Sequence, residues 1–330
     1  MAPLDDGGSP AHDTAAGTLA SDVAEQEATP QRWAVVWCFG IGVACALVGL
    51  LPWFLTGMRL PLQNLWATSA SPESMPIVLL PFSQYMLALI VGLIVTGSAV
   101  AGVVARATRE RHPKNGLRAI LAGVLLVQIA AAAQTAVVVM SGLQRSTWAD
   151  VYLAALIAVT VVSVVTGILI LLLVAKAPVA GATVGLGLAA VAVGPWVSLL
   201  VFPVGSVPSD LTSWMLSIVR WVPALIVGVV LAWAGFQTVG RIIAGVGLLL
   251  VLWVGPAVFT AVSAAAGTRV LAGDPRGMLE FGLQVFGGEL WTPEQSLPPL
   301  ILAVMVAVVG WFVRRLLRVR REAGAQTLHP

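Results

Sequence analysis

The chain has 330 residues, of which 58% are hydrophobic and only 10% charged, and its mean hydropathy is +0.95. Soluble domains carry about 25% charged residues, so a soluble globular domain is excluded. A formal charge of +3 is too small a surplus to mark a nucleic-acid binder, and no nucleic-acid partner is expected.

The N-terminal stretch holds Asp5, Asp6, Asp13, Asp22, Glu25 and Glu27 without a basic residue or an apolar run. A secretory signal needs a positive start followed by an apolar stretch. Residues 1–31 are therefore read as a disordered acidic tail rich in Ala, Gly, Ser and Pro. The first membrane helix then serves as the insertion signal.

A helix crossing about 30 Å of hydrocarbon needs about 20 apolar residues. Eight runs qualify: Trp33–Leu55, Phe82–Ala105, Ala119–Met140, Val151–Val174, Val179–Phe202, Trp221–Val239, Ile242–Ala266 and Leu297–Val313. The last is the shortest, but Arg314 and Arg315 can snorkel to the headgroups and extend it. The runs are continuous rather than alternating, which excludes barrel strands. The expected fold is an all-α polytopic membrane bundle of eight transmembrane helices over 32–316, followed by a basic tail over 317–330. Cys38 and Cys45 lie seven residues apart in the first run, roughly 10 Å on a helix. A disulfide needs Cα atoms within about 7 Å, so these two are read as small apolar packing residues.

Eight spans place both termini on one side. Thirteen of the 18 Lys and Arg residues fall there: Arg32, Arg106, Arg109, Arg111, Lys114, Arg118, Lys176, Arg241, Arg314, Arg315, Arg318, Arg320 and Arg321. The opposite face holds Arg59, Arg145, Arg220, Arg269 and Arg276. Cytoplasmic loops are the ones enriched in Lys and Arg, so both termini are expected in the cytoplasm. Arginine far outnumbers lysine, and Ala, Val and Gly abound, as in high-GC bacteria; the expected location is a bacterial inner membrane. The segment "ARATRERHPKNGLR" concentrates five of the basic side chains (Arg106, Arg109, Arg111, Lys114 and Arg118) without an aromatic residue or a glycine-rich cradle. It is read as an orienting loop beside anionic headgroups.

The connections are lopsided. "AKAP" (175–178) and "QTVGR" (237–241) are tight turns on the basic side, whereas 56–81, 141–150, 203–220 and 267–296 are long outer connections. In "SDLTSWMLSIVRW", Ser209 can cap a helix whose Leu211, Trp214, Met215 and Ile218 share one face. Such a helix is expected to lie in the interface plane and feed the sixth span, with Pro223 as the bend. "DPRGMLEFGLQVFGGELW" (274–291) is a poorer version interrupted by glycines.

Three outward-running spans pair a Gly-x-Gly with a later proline: "GIGVACALVGLLPWF", "GLGLAAVAVGPWVSLL" and "GVGLLLVLWVGPAVF". Pro52, Pro195 and Pro256 are expected helix breaks. Interrupted helices at matching positions can mark transporter sites. The spacing drifts between the copies, however, and both residue types are frequent in membrane helices.

No ionisable residue lies in the central part of any expected span. That argues against an ion-coupled carrier with a charged site and against an intramembrane metalloprotease. His12, His112 and His329 fall outside the spans, so neither a metal nor another cofactor is expected. No Gly-x-Ser-x-Gly elbow is present. Glu73, Asp150, Asp210, Asp274, Glu280, Glu289 and Glu294 are scattered over the outer connections, and no catalytic residue is expected. What remains in the membrane is uncharged polarity: Thr96 and Ser98, Gln128 and Gln134, and Thr160 and Ser163 with Gly167. Such groups pack helices together at about 0.6 to 2 kcal/mol per hydrogen bond, or else line a solute path. Two functions fit. One is a non-catalytic component that binds membrane lipid or another membrane or envelope protein through its outer loops. The other is a permease for an uncharged or amphipathic solute.

Overall fold

A computed structural model of the chain describes residues 34–69, 71–111, 113–268, 270–271 and 273–326, with side chains described except at 293–295 and beyond 317. The acidic tail and all three histidines lie outside the described residues.

The described chain is helical throughout, with only isolated bridges between Arg59 and Ile77 and between Trp66 and Leu143. The helices are α1 (Ala34–Leu55), α2 (Leu87–Ala107), α3 (Gly116–Gly142), α4 (Thr147–Lys176), α5 (Val179–Val201), α6 (Asp210–Val219), α7 (Val222–Ala234), α8 (Val239–Gly267), α9 (Pro275–Leu290) and α10 (Pro293–Gln326). Eight segments are long and apolar enough to cross a membrane. The protein is a multi-pass membrane protein whose apolar helices contact lipid. In lipid every backbone group must be satisfied within the protein, which is why such runs form helices.

Several boundaries differ from the sequence expectation, the starts of α4 and of the sixth span among them. α4 begins at Thr147 rather than Val151, because the Ser146 hydroxyl accepts from the Ala149 N–H. Asp150 then sits in the first turn, where the helix dipole favours a carboxylate. The sixth span also starts earlier. α7 alone is about 20 Å long, too short for about 30 Å of hydrocarbon. Asp210–Ala234 together has the length, so α6 and α7 together form the candidate sixth crossing. Arg220 and Trp221 keep right-handed helical dihedrals between the two helices. The interruption falls at Pro223, which has no N–H to donate. Ser209 caps α6 as expected, in a capping box with Thr212.

The prolines expected to break helices lie inside them. Pro195 and Pro256 are within continuous α5 and α8, and Pro52 is helical in α1. Nearby donors take up carbonyls around them. Ser198 Oγ donates to Gly194 O at 2.9 Å, Thr260 Oγ1 to Pro256 O at 3.1 Å, and Trp196 Nε1 to Gly49 O at 2.8 Å. The carbonyls that the prolines themselves leave without a helix N–H lie four residues earlier, at Val48, Val191 and Leu252.

Two groups of helices share the bundle. In the first, α2 is packed by α1, α3 and α4. The crossings are close: a Cβ at Gly42 would fall on the Ile120 carbonyl, and one at Gly123 on the Phe39 carbonyl. In the second, α5, α7, α8 and α10 pack around Leu231, Leu248, Leu252 and Ala303. α5 joins the two through Ala189 and Ala192, which pack with Val95 and Ile170. α9 folds back along α8, with Gly282 against Ala261 and Ala265 and the Trp291 ring edge-on to Trp253, centroids 6.2 Å apart.

Candidate functional site

Three places gather the residues that carry polarity. The first is the mid-bundle cluster. Gln128 Nε2 donates to Ile94 O at 3.0 Å and to Ser98 Oγ at 2.9 Å, while Ser98 Oγ donates to Ile94 O at 3.1 Å. α4 crosses here at Gly167, where a Cβ would stand 2.6 Å from Ser98 Oγ. The structure thus brings Gln128 and Ser98 together across α2 and α3. Thr160 and Ser163 instead bond back to their own helix, at Leu156 O and Val159 O. Gln128 Oε1 and Thr96 Oγ1 are buried without a partner, each a cost of about 1 to 3 kcal/mol in a dry interior.

The second place is the connection between α1 and α2, expected as an outer loop and found packed into the helices. Leu60, Met75, Val78, Leu80 and Phe82 are buried beside Trp53. Gln134 holds its backbone as a strand neighbour would: Oε1 accepts from Leu79 N at 3.0 Å and Nε2 donates to Ile77 O at 3.1 Å. Thr135 Oγ1 accepts from Leu80 N, and Trp53 Nε1 donates to Val78 O at 2.8 Å. Tyr152 of α4 donates to Gln63 Oε1 at 2.6 Å, and Gln63 Nε2 donates to Phe82 O. Gln134 lies eight residues before the end of α3, so the loop reaches about 12 Å down that helix. Gln134 therefore holds a loop, a role distinct from both packing between helices and lining a solute path.

The third place is the arginine-rich end. Arg106 donates to Val174 O at 2.8 Å and Ala177 O at 3.0 Å, neutralising the last carbonyls of α4, and its guanidinium lies 5.3 Å from the centre of the Trp233 ring. Cations at a helix C-terminus are favoured in this way. Arg109, Arg111, Lys114 and Arg118 stay exposed. Beside Arg106 lies a cavity of about 370 Å3 between the ends of α7, α8 and α10. Arg314 Nη1 donates to Ala232 O and Trp233 O, both at 2.6 Å. Arg241 Nη1 donates to Ala234 O at 3.2 Å and Gln237 Oε1 at 2.9 Å. Arg315 lies over Trp311, 5.5 Å from its centre. Among the described residues no Asp or Glu lines the cavity.

The sequence marks Arg241, Arg314 and Arg315 as basic-side residues, with Arg314 and Arg315 snorkelling from the last span, and gives Trp233 and Trp311 no role. The usable signal was an aromatic residue within a turn or two of an arginine at two helix ends, "WAGFQTVGR" and "WFVRR". Among the described residues no group of His, Cys, Asp and Glu could hold a metal ion. Cys38 and Cys45 are buried free thiols. The chain matches no protein-family model, no curated protein and no solved structure.

Proposed function

We propose that this chain is a non-catalytic component of a bacterial cytoplasmic membrane that binds a partner membrane or envelope protein through α9 on its outer face. The observation that carries this reading is that α9 contributes no buried side chain to the fold. It rests on α8 through Gly282 and leaves Leu279 and Leu283 uncovered, at 64% and 60% exposure. The α1–α2 connection, by contrast, is consumed internally, and α6 belongs to the candidate sixth crossing. Replacing Leu279 and Leu283 with Ser should leave thermal stability within about 0.5 kcal/mol of wild type, as for surface sites. Native mass spectrometry of the mildly solubilised protein should show a stoichiometric partner protein on wild type and not on the variant. A partner equally retained by both would sink this assignment.

The orientation rests on the basic-residue split. Single cysteines at Asn115 and Gln326 should be protected from impermeant reagent in intact cells, and those at Ser71 and Thr292 should react. Labelling at Gln326 from outside would overturn it.

A permease for an uncharged or amphipathic solute is the second reading. The observation favouring it is an open recess of about 540 Å3 beside Pro195, lined by Ala88 and Phe259 with Thr260 and Ser263.

A further inference from the structure

We propose that the cavity at the arginine-rich end binds a phosphate-bearing anion through Arg241, Arg314 and Arg315. This inference is independent of the outer-face reading.

The three guanidiniums come from two separate segments, the first turn of α8 and the end of the last span, and meet where α7 stops. Gly235 turns the chain there with a positive φ of 65°, a conformation open to glycine without a Cβ penalty. Arg241 and Arg314 are fixed in place because each spends Nη1 on the carbonyls that end α7. A guanidinium carries five N–H donors in a planar fork, so Nε and Nη2 remain on both for a ligand. Among the described residues Arg315 has no hydrogen-bond partner; its contact is the Trp311 face. The α7 terminus offsets about half a positive charge, against three guanidiniums and, among the described residues, no carboxylate on the cavity wall. The site is therefore positive, preorganised and unneutralised.

The choice of arginine narrows the ligand. Bidentate recognition of phosphate oxygens suits its fork, whereas lysine acts as a point charge. The walls supplied by Trp233 and Trp311 suit a group with an apolar body beside the anion. The cavity also lies where the apolar run of α10 gives way to Arg314, at headgroup depth. Basic pockets between membrane helices at that depth hold phosphate headgroups. A lipid headgroup and a free phosphate share this chemistry, and binding experiments separate the two sources.

The full chain, purified in a non-ionic detergent, would be titrated with short-chain phosphatidylglycerol, with phosphatidylcholine of the same chain length, and with inorganic phosphate. Wild type should bind phosphatidylglycerol about tenfold more tightly than Arg241→Gln/Arg315→Gln, the order expected for losing charge-assisted hydrogen bonds. The charge-matched control Arg145→Gln/Arg276→Gln, which alters exposed residues outside the cavity, should stay within about twofold of wild type. Competition by inorganic phosphate identifies a free phosphate as the ligand; its failure to compete identifies the lipid. Arg241 caps α7, so Arg315→Gln alone, which breaks no backbone bond, provides the same test in a variant that folds, with a weaker loss of about threefold or more. Equal weakening in the cavity and control variants would overturn the proposal, leaving only diffuse charge. So would binding of phosphatidylglycerol no tighter than phosphatidylcholine in the absence of phosphate binding.

Discussion

The two halves of the bundle solve the membrane problem differently. α2, at the centre of the first half, has 67% of its apolar window buried, whereas the last span of the second half has 11%. The first half closes on itself with glycine crossings, a shared glutamine and an inserted loop. The second also has close glycine crossings, a Cβ at Gly228 standing 2.8 Å from the Ala303 carbonyl, but it leaves an aromatic-lined cavity and α9 uncovered. The other spans differ less, at 33% for α1, α3 and α4 and 39%, 39% and 28% for the fifth to seventh, so the contrast lies between α2 and the last span. Contacts with other molecules are thus better sought around the last span, while substitutions around α2 act mainly through folding.

The sharpest way to break that contrast is at its glycines. Gly42→Leu places a side chain on the Ile120 carbonyl. It should cost at least about 3 kcal/mol, since overpacking here meets backbone rather than a movable side chain. Detergent-resistant folded protein, measured by thermal unfolding, should be largely lost. Normal stability would show that α1 and α3 do not cross there.

A smaller effect is expected at the inserted loop. Gln134→Leu removes both bonds to the Ile77–Leu79 backbone and should cost about 1 to 3 kcal/mol, two hydrogen bonds at about 0.5 to 1.5 kcal/mol each. Limited proteolysis should then cut within 56–86 while sparing the helices. Continued protection of that segment would mean that side-chain burial alone holds it.

Gln128→Leu should be milder, at most about 2 kcal/mol. Ser98 still satisfies Ile94 O, and the substitution removes the unpartnered Oε1 as well as the donor. Thermal stability and solute retention would be measured on the same preparation. Unchanged stability with a more than tenfold loss of solute binding would instead place the residue on a path and favour the permease reading. The mildest change is Gly247→Ala in α8. A Cβ there meets nothing within 4 Å, so it should be neutral or stabilising by up to about 1 kcal/mol. A clear loss would show that the second half is as tightly built as the first.

The eight crossings were legible because run length alone separates about 20 apolar residues from anything shorter. Gln128 was legible as a buried polar residue but not as the partner of Ser98. α3 and α4 are apolar on every side, so their sequences do not say which face turns inward. The depth of α6 was not legible for a related reason: its one-sided Leu211, Trp214, Met215 and Ile218 fit an interfacial helix and a lipid-facing span equally well, and the shortness of α7 favours the span. The inserted loop was hidden because Val78, Leu80 and Phe82 alternate over too short a stretch to stand out beside the membrane runs, and Leu60 and Met75 lie outside that period. The arginine cavity was hidden because Arg241 and Arg314 lie 73 residues apart, and nothing local links them.

The partners of the inserted loop also bear on the order of synthesis. Gln134, Thr135, Gly142, Gln144 and Tyr152, which hydrogen-bond to it, all precede the end of α4. A ribosome that has released the chain through Lys176 has therefore already delivered every one of them, and domains that finish early can fold before the remainder emerges. Trp196 then reaches back 147 positions to Gly49, and α5 seats against Gly92, whose missing Cβ leaves room for the Ala192 carbonyl. The N-terminal four helices can act during biogenesis as a finished template, onto which α5 docks as the first helix of the later-made half.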